Sequence, residues 1–95
     1  MYNSIADVVF SNLSATPASF TLRSGNYSVT AIAAWGGGSV TLQRLAADGS
    51  TYVPALPAFS TNGMANTYLP SGTYKLAIAT ATAVYVDIVS IEIYH

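Results

Sequence analysis

The side chains able to do acid–base or nucleophilic chemistry in this 95-residue chain are few: His95, the carboxylates Asp7, Asp48, Asp87 and Glu92, and scattered serines and threonines, with no cysteine at all. A Ser-His-Asp relay needs a histidine held by packed neighbours beside its serine, and His95 is the last residue of the sequence, a position where chains commonly fray. Paired carboxylates of the glycosidase kind would have to come from the same four acids, of which Asp48 precedes Gly49 in a turn where a carboxylate already has a structural use. Calcium could call only on backbone carbonyls and Asp7 or Asp87, with no acidic loop around either. The absence of cysteine removes thiolate catalysis, zinc-thiolate sites and disulfides together and leaves the redox compartment open. The chain therefore reads as a protein without catalytic residues, cofactor or metal.

Two other patterns deserve a chemical reading. Trp35-Gly36-Gly37-Gly38 resembles a phosphate-cradling loop in its glycines alone, since it leads into a strand and lacks the helix, Lys and Ser/Thr of a P-loop. Trp35, Tyr52, Tyr68 and Tyr85 could form a platform for stacking on sugars, because aromatics combine apolar faces with a polar edge. The blander expectation for them is core or interface. The sequons at Asn12-Leu13-Ser14 and Asn26-Tyr27-Ser28 matter only in a secreted eukaryotic protein.

The elements that must position these groups read as strands. Tyr27, Val29, Ala31, Ala33 and Trp35 share one parity with Ser28 and Thr30 on the other, and after the three glycines Val40 and Leu42 alternate with Thr41 and Gln43. This predicts a β-hairpin turning at the glycines, with positive φ available there. Further strands are expected from Ile5 to Leu13, around Phe20 and Leu22, at Tyr52 and Val53, over 65–69, over 74–79 and over 84–94, with turns at Ser24-Gly25-Asn26, Asp48-Gly49, Asn62-Gly63 and Pro70-Ser71-Gly72. Asp-Gly suits a type I′ turn, and Pro54 and Pro57 mark an edge or corner. A change of apolar parity in the last strand predicts a bulge near Val89 and Ser90.

Composition bounds what such strands can build. The length allows one domain, residues 1–95, near the lower end of what folds unaided. Only 7% of residues are charged, against about 25% in an ordinary globular chain, so the surface does little to keep neighbouring molecules apart. Self-association is the expectation. A net charge of −1 with singly scattered Arg23, Arg44 and Lys75 offers no footprint for nucleic acid. The first residues lack the basic and long apolar regions of a signal peptide, and the apolar stretch 76–94 is interrupted by Asp87 and Glu92 and rich in β-branched residues, which favours strands over a membrane span.

One internal echo organises the whole. Leu22-Arg23-Ser24-Gly25-Asn26-Tyr27-Ser28-Val29 matches Leu69-Pro70-Ser71-Gly72-Thr73-Tyr74-Lys75-Leu76 as L-x-S-G-x-Y-x-hydrophobic, so the two halves are expected to be built alike. About eight short strands with turns every 8 to 12 residues then predict an all-β antiparallel sandwich of jelly-roll type.

The run formed by Gly25-Asn26-Tyr27, Ala34-Trp35-Gly36-Gly37-Gly38-Ser39-Val40-Thr41-Leu42-Gln43, Asp48-Gly49-Ser50-Thr51-Tyr52, Asn62-Gly63, Leu69 to Tyr74 and Ala81 to Tyr85 resembles small virion proteins of tailed phages and prophages, over most of residues 25–89. The resemblance implies a compact β protein that decorates or stabilises a capsid, or forms part of a head fibre, often as a trimer, and it implies no catalytic residue. The expected partners are further copies of the chain, with a homotrimer favoured, and the major capsid or another virion protein. The expected location is the virion, assembled in the host cytoplasm. Nucleic acid and membrane are not expected partners, and a glycan is a minor alternative, as a carbohydrate-binding module or a non-viral adhesion subunit would require. Tyr2, Tyr52, Tyr68, Tyr85 and Tyr94 are the candidate subunit or partner contacts. Tyr27, Val29, Trp35, Val40, Leu42, Tyr74, Leu76 and Ile78 are the candidate core, with Trp35 expected to be buried beside the glycines.

Overall fold

The computed structural model describes residues 8–91. They form eight strands, β1 (Val8–Leu13), β2 (Phe20–Leu22), β3 (Gly25–Ala34), β4 (Ser39–Leu45), β5 (Tyr52–Pro54), β6 (Gly63–Leu69), β7 (Gly72–Ala79) and β8 (Thr82–Ile91). Two antiparallel four-stranded sheets, ordered β1-β8-β3-β6 and β2-β7-β4-β5, pack face to face. The pairings are nested. Leu45 lies opposite Tyr52, Gly25 opposite Leu69, Leu22 opposite Gly72 and Val8 opposite Ile88. The chain is thus one long antiparallel ribbon folded back on itself, β1 to β4 against β8 to β5, and wrapped into two layers, which is a jelly roll.

Period-2 patterning drives the wrapping. Tyr27, Val29 and Ala31 of β3, Val84, Val86 and Ile88 of β8, Val40 and Leu42 of β4, and Tyr74 and Leu76 of β7 all point between the sheets and are buried. At one flank Phe10 meets Phe20 at 5.4 Å between ring centroids, and Phe20 stacks on Tyr74 at 6.4 Å, so aromatics close the gap between β1 of one sheet and β2 and β7 of the other.

The repeated L-x-S-G-x-Y segments are where the ribbon changes sheets. Leu22 lies opposite Gly72 in one sheet and Gly25 opposite Leu69 in the other, so the two copies run side by side in opposite directions and cross together. In each, the buried tyrosine donates its hydroxyl to the carbonyl four residues back, Tyr27 to Arg23 at 2.6 Å and Tyr74 to Pro70 at 2.5 Å. Such a bond lets a large ring enter the core without stranding its hydroxyl.

Three local expectations are corrected. Residues 27–45 do not form a hairpin, because β3 and β4 belong to different sheets. Gly36 and Gly37 take positive φ (52° and 82°) and Gly38 N–H donates to Trp35 at 2.6 Å, so the turn is tight, but it carries the chain across the sandwich instead of back along β3. The 46–51 turn closes on one left-handed residue, Gly49 (φ 78°), where the expected type I′ turn needs two, with Gly49 N–H on the Ala46 carbonyl and Ala46 N–H on that of Thr51. No bulge occurs at Val89 and Ser90, since β8 stays in register with β3 from Ile91 to Tyr85. The irregularities lie between Phe10 and Leu13 and between Ile32 and Ala34. Val89 and Ile91 are apolar on the outward parity, so both faces of β8 carry apolar groups and no parity change is needed.

Gly38 is the glycine whose missing side chain matters most. A Cβ there would sit 2.1 Å from the Ala79 carbonyl oxygen and 2.5 Å from the Ala81 nitrogen, backbone that a tight turn holds in place through an Ala81-to-Ala79 hydrogen bond of 2.7 Å across Thr80 at φ 69°. Gly38→Ala should therefore cost about 3 kcal/mol or more, as overpacking against backbone does. Gly36→Ala meets nothing within 4 Å and should cost only the left-handed penalty of roughly 1–2 kcal/mol. Urea unfolding of both variants checks this ordering.

Candidate interaction face

The outward side chains of the β1-β8-β3-β6 sheet gather the exposed apolar surface. Across the strands, Val9 lies opposite Asp87, Asp87 opposite Thr30 and Thr30 opposite Met64. The neighbouring rows are Tyr85 with Ile32, Val89 with Ser28 and Asn66, and Ile91 with Asn26 and Tyr68. Five of the six large apolar side chains exposed among the described residues, Val9, Ile32, Met64, Tyr68 and Tyr85, stand on this face at 44% to 67% exposure. The sixth, Val53, is on β5. Among the described residues Asp87 is the only charge on the face. Four strands about 4.8 Å apart and some 8 residues long at about 3.3 Å each give a footprint of roughly 400–500 Å². That footprint includes the polar Asn26, Ser28, Thr30, Asn66 and Asp87 beside the apolar groups.

The opposite sheet presents a different surface. Thr41, Gln43, Thr73, Lys75 and Ala77 face outward there, and the Lys75 ammonium sits 4.4 Å from the centre of the Tyr52 ring, a cation–π contact that occupies both groups.

The predicted contact tyrosines are therefore split. Tyr68 and Tyr85 share the apolar face, Tyr52 is half-buried on the other sheet, and Tyr2 and Tyr94 lie outside the described residues, as do Asp7, Glu92 and His95. No aromatic platform forms from Trp35, Tyr52, Tyr68 and Tyr85. On the shared face, Tyr68 pairs at Asn26 and Tyr85 at Ile32, six residues or roughly 20 Å apart along β3. Val9, Ile32 and Met64 were missed by sequence reasoning. The signal available was the second apolar parity of Ile32, Tyr85, Val89 and Ile91, visible once strand pairing aligns them.

Of the predicted core, Tyr27, Val29, Val40, Leu42, Tyr74 and Leu76 are buried, while Ile78 is partly buried, its N–H on the Thr16 hydroxyl at 3.0 Å. Trp35 is corrected from buried to half-buried. Its indole N–H donates to Asn62 Oδ1 at 2.9 Å, and the same oxygen accepts from Ala33 N–H at 3.2 Å. A partner on the exposed rim draws the ring outward. The glycines do not house the indole, since the space at Gly38 is taken by the 79–81 backbone. Arg44 shares the inward parity of Val40 and Leu42, its Nη2 donates to the Ser71 carbonyl at 2.7 Å, and its guanidinium lies across Gly72, 3.0 Å from where a Cβ would stand. Burial pushes the neighbouring Tyr74 phenol above its ordinary value, with the Arg44 charge working against the shift.

Asp48 is spent within its own loop. Oδ1 accepts from the N–H groups of Ser50 and Thr51, both at 2.9 Å, and Oδ2 from the Thr51 hydroxyl at 2.6 Å. The Thr51 hydroxyl, then the two backbone donors, lower its pKa to about 2. Among the described residues no group of three His, Cys, Asp or Glu side chains could hold a metal ion, and no helix is long and apolar enough to cross a membrane.

Two measurements check these assignments. Asn62→Ala should destabilise the domain by about 1 kcal/mol, because it removes the shared acceptor of two exposed hydrogen bonds, and should red-shift Trp35 emission. Because the folded-state pKa of Asp48 is depressed, its contribution to stability is present above the unfolded value and is lost as pH falls through about 2. NMR titration should give a carboxyl midpoint near 2 for Asp48, with the Ser50 and Thr51 amide shifts following it, and Asp48→Asn should abolish both.

No family model, curated protein or solved structure matches the chain.

Proposed function

We propose that this chain is a structural virion protein that acts by binding, docking the outer face of its β1-β8-β3-β6 sheet on a capsid or other virion protein. One observation carries this reading. Among the described residues, five of six exposed large apolar side chains lie on one sheet face whose only charge is Asp87, and exposed apolar and aromatic groups set among uncharged Asn, Ser and Thr suit a protein contact. The jelly roll is used by viral capsid domains and by lectins, an analogy of fold alone. The sugar-binding alternative loses support because the four aromatics do not converge. The protein would act without cofactor or metal and would reside in the particle.

Mass spectrometry of phage-like particles purified from the organism that carries the gene should find the chain as a stoichiometric component. Tyr85→Lys, on the outer face and away from the core, should leave the melting curve unchanged and lower incorporation tenfold or more, a loss of about 1.4 kcal/mol or more in binding. Particles lacking the chain, or glycan-array binding that disappears with Tyr68→Ala, would sink the proposal.

A further inference from the structure

A two-sheet sandwich has four edge strands, here β1 and β6 of one sheet and β2 and β5 of the other. Natural proteins protect such edges with bulges, brevity, proline or charge. Three of the four are protected in those ways. β1 is broken by a register shift between Phe10 and Leu13, with Asn12 at φ 53°, β2 has three residues, and β5 has three and ends at Pro54. β6, Gly63-Met64-Ala65-Asn66-Thr67-Tyr68-Leu69, has none of these devices. It is seven residues long, contains no proline and no charge, and pairs with β3 in unbroken register from Gly63 to Leu69. No described strand lies on its other side.

We infer that β6 is a homodimerisation edge, pairing antiparallel with β6 of a second copy about a two-fold axis through Asn66. The segment is self-complementary about that point. Asn66 faces Asn66, Ala65 faces Thr67, and Met64 faces Tyr68, a sulfur–aromatic pairing, while no charges oppose one another. An isologous contact of this kind closes on itself and does not propagate into a fibre. The two sheets become one eight-stranded sheet, held by main-chain hydrogen bonds as in β-augmentation.

The dimer follows from the edge and does not depend on the virion reading, but it deepens that reading. One face of roughly 400–500 Å² is about half of the ~800 Å² that each partner contributes to a standard interface. Two faces joined at β6 supply the whole. The symmetry is two-fold, in place of the trimer implied by the phage resemblance.

Light scattering coupled to size exclusion, across the micromolar range, should give twice the chain mass. Asn66 is exposed and outward, so Asn66→Lys and Asn66→Glu should each fold with an unchanged far-ultraviolet spectrum and run as monomers, because like charges then meet at the axis. Mixed in equal amounts, the two variants should regain the dimer mass. Tyr85→Lys, two strands away on β8, should remain dimeric, which separates this proposal from the docking of the face. A monomeric or trimeric wild type, an Asn66→Lys variant that keeps the dimer mass, or a mixture that stays monomeric would each overturn the proposal.

Discussion

Everything in this fold depends on two chain segments changing sheets side by side. A ribbon that crosses between layers must turn its buried side chains through the gap while keeping backbone donors and acceptors paired, and an unpaired buried group would cost as much as a lost hydrogen bond. The L-x-S-G-x-Y segments answer this twice. Leu22 and Leu69 end their strands in the core, the tyrosines re-enter it three residues after the serines, and their hydroxyls return to the carbonyls of Arg23 and Pro70, on either side of the crossing. Arg44 lies under the second crossing with its guanidinium on the Ser71 carbonyl, filling ground that Gly72 leaves open.

The two outer faces then diverge in chemistry. One is small and polar, with Lys75 resting on Tyr52. The other sets exposed Val9, Ile32, Met64, Tyr68 and Tyr85 among Asn, Ser and Thr, with Asp87 its one charge among the described residues. Among the described residues the charges other than Asp87 fall off this face: Arg23 at the crossing, Arg44 beneath it, Asp48 in the β4–β5 loop and Lys75 on the opposite sheet.

Much of this was legible in the residues. Alternation located the strands, and the internal echo marked two like-built segments, each a strand, a turn and a long inner strand, because each follows from local backbone and packing rules; that both segments cross between sheets emerges only from the strand pairing. Which strands share a sheet was not legible, since a tight turn at Gly36 and Gly37 looks the same whether it closes a hairpin or bridges two layers. Trp35 was misplaced for a related reason: strand parity pointed it inward, but its N–H partner, Asn62, comes from 27 residues away. The apolar face was hidden because its members come from four strands, and only pairing brings Val9, Tyr85, Ile32 and Met64 onto one side.

The nested pairing also governs how the chain can reach this state. The innermost pairs, Leu45 with Tyr52 and Gln43 with Pro54, join residues close in sequence, whereas Val8 and Ile88 lie at opposite ends of the described chain. Loop-closure entropy rises with separation, so the β4–β5 hairpin is the least costly nucleus and each successive pair is closed by the one inside it. β8 lies between β1 and β3, so the β1-β8-β3-β6 sheet cannot be completed on a nascent chain until β8 has emerged from the ribosome. The high share of long-range pairing places its folding among the slower two-state β domains, in the range of about milliseconds to seconds.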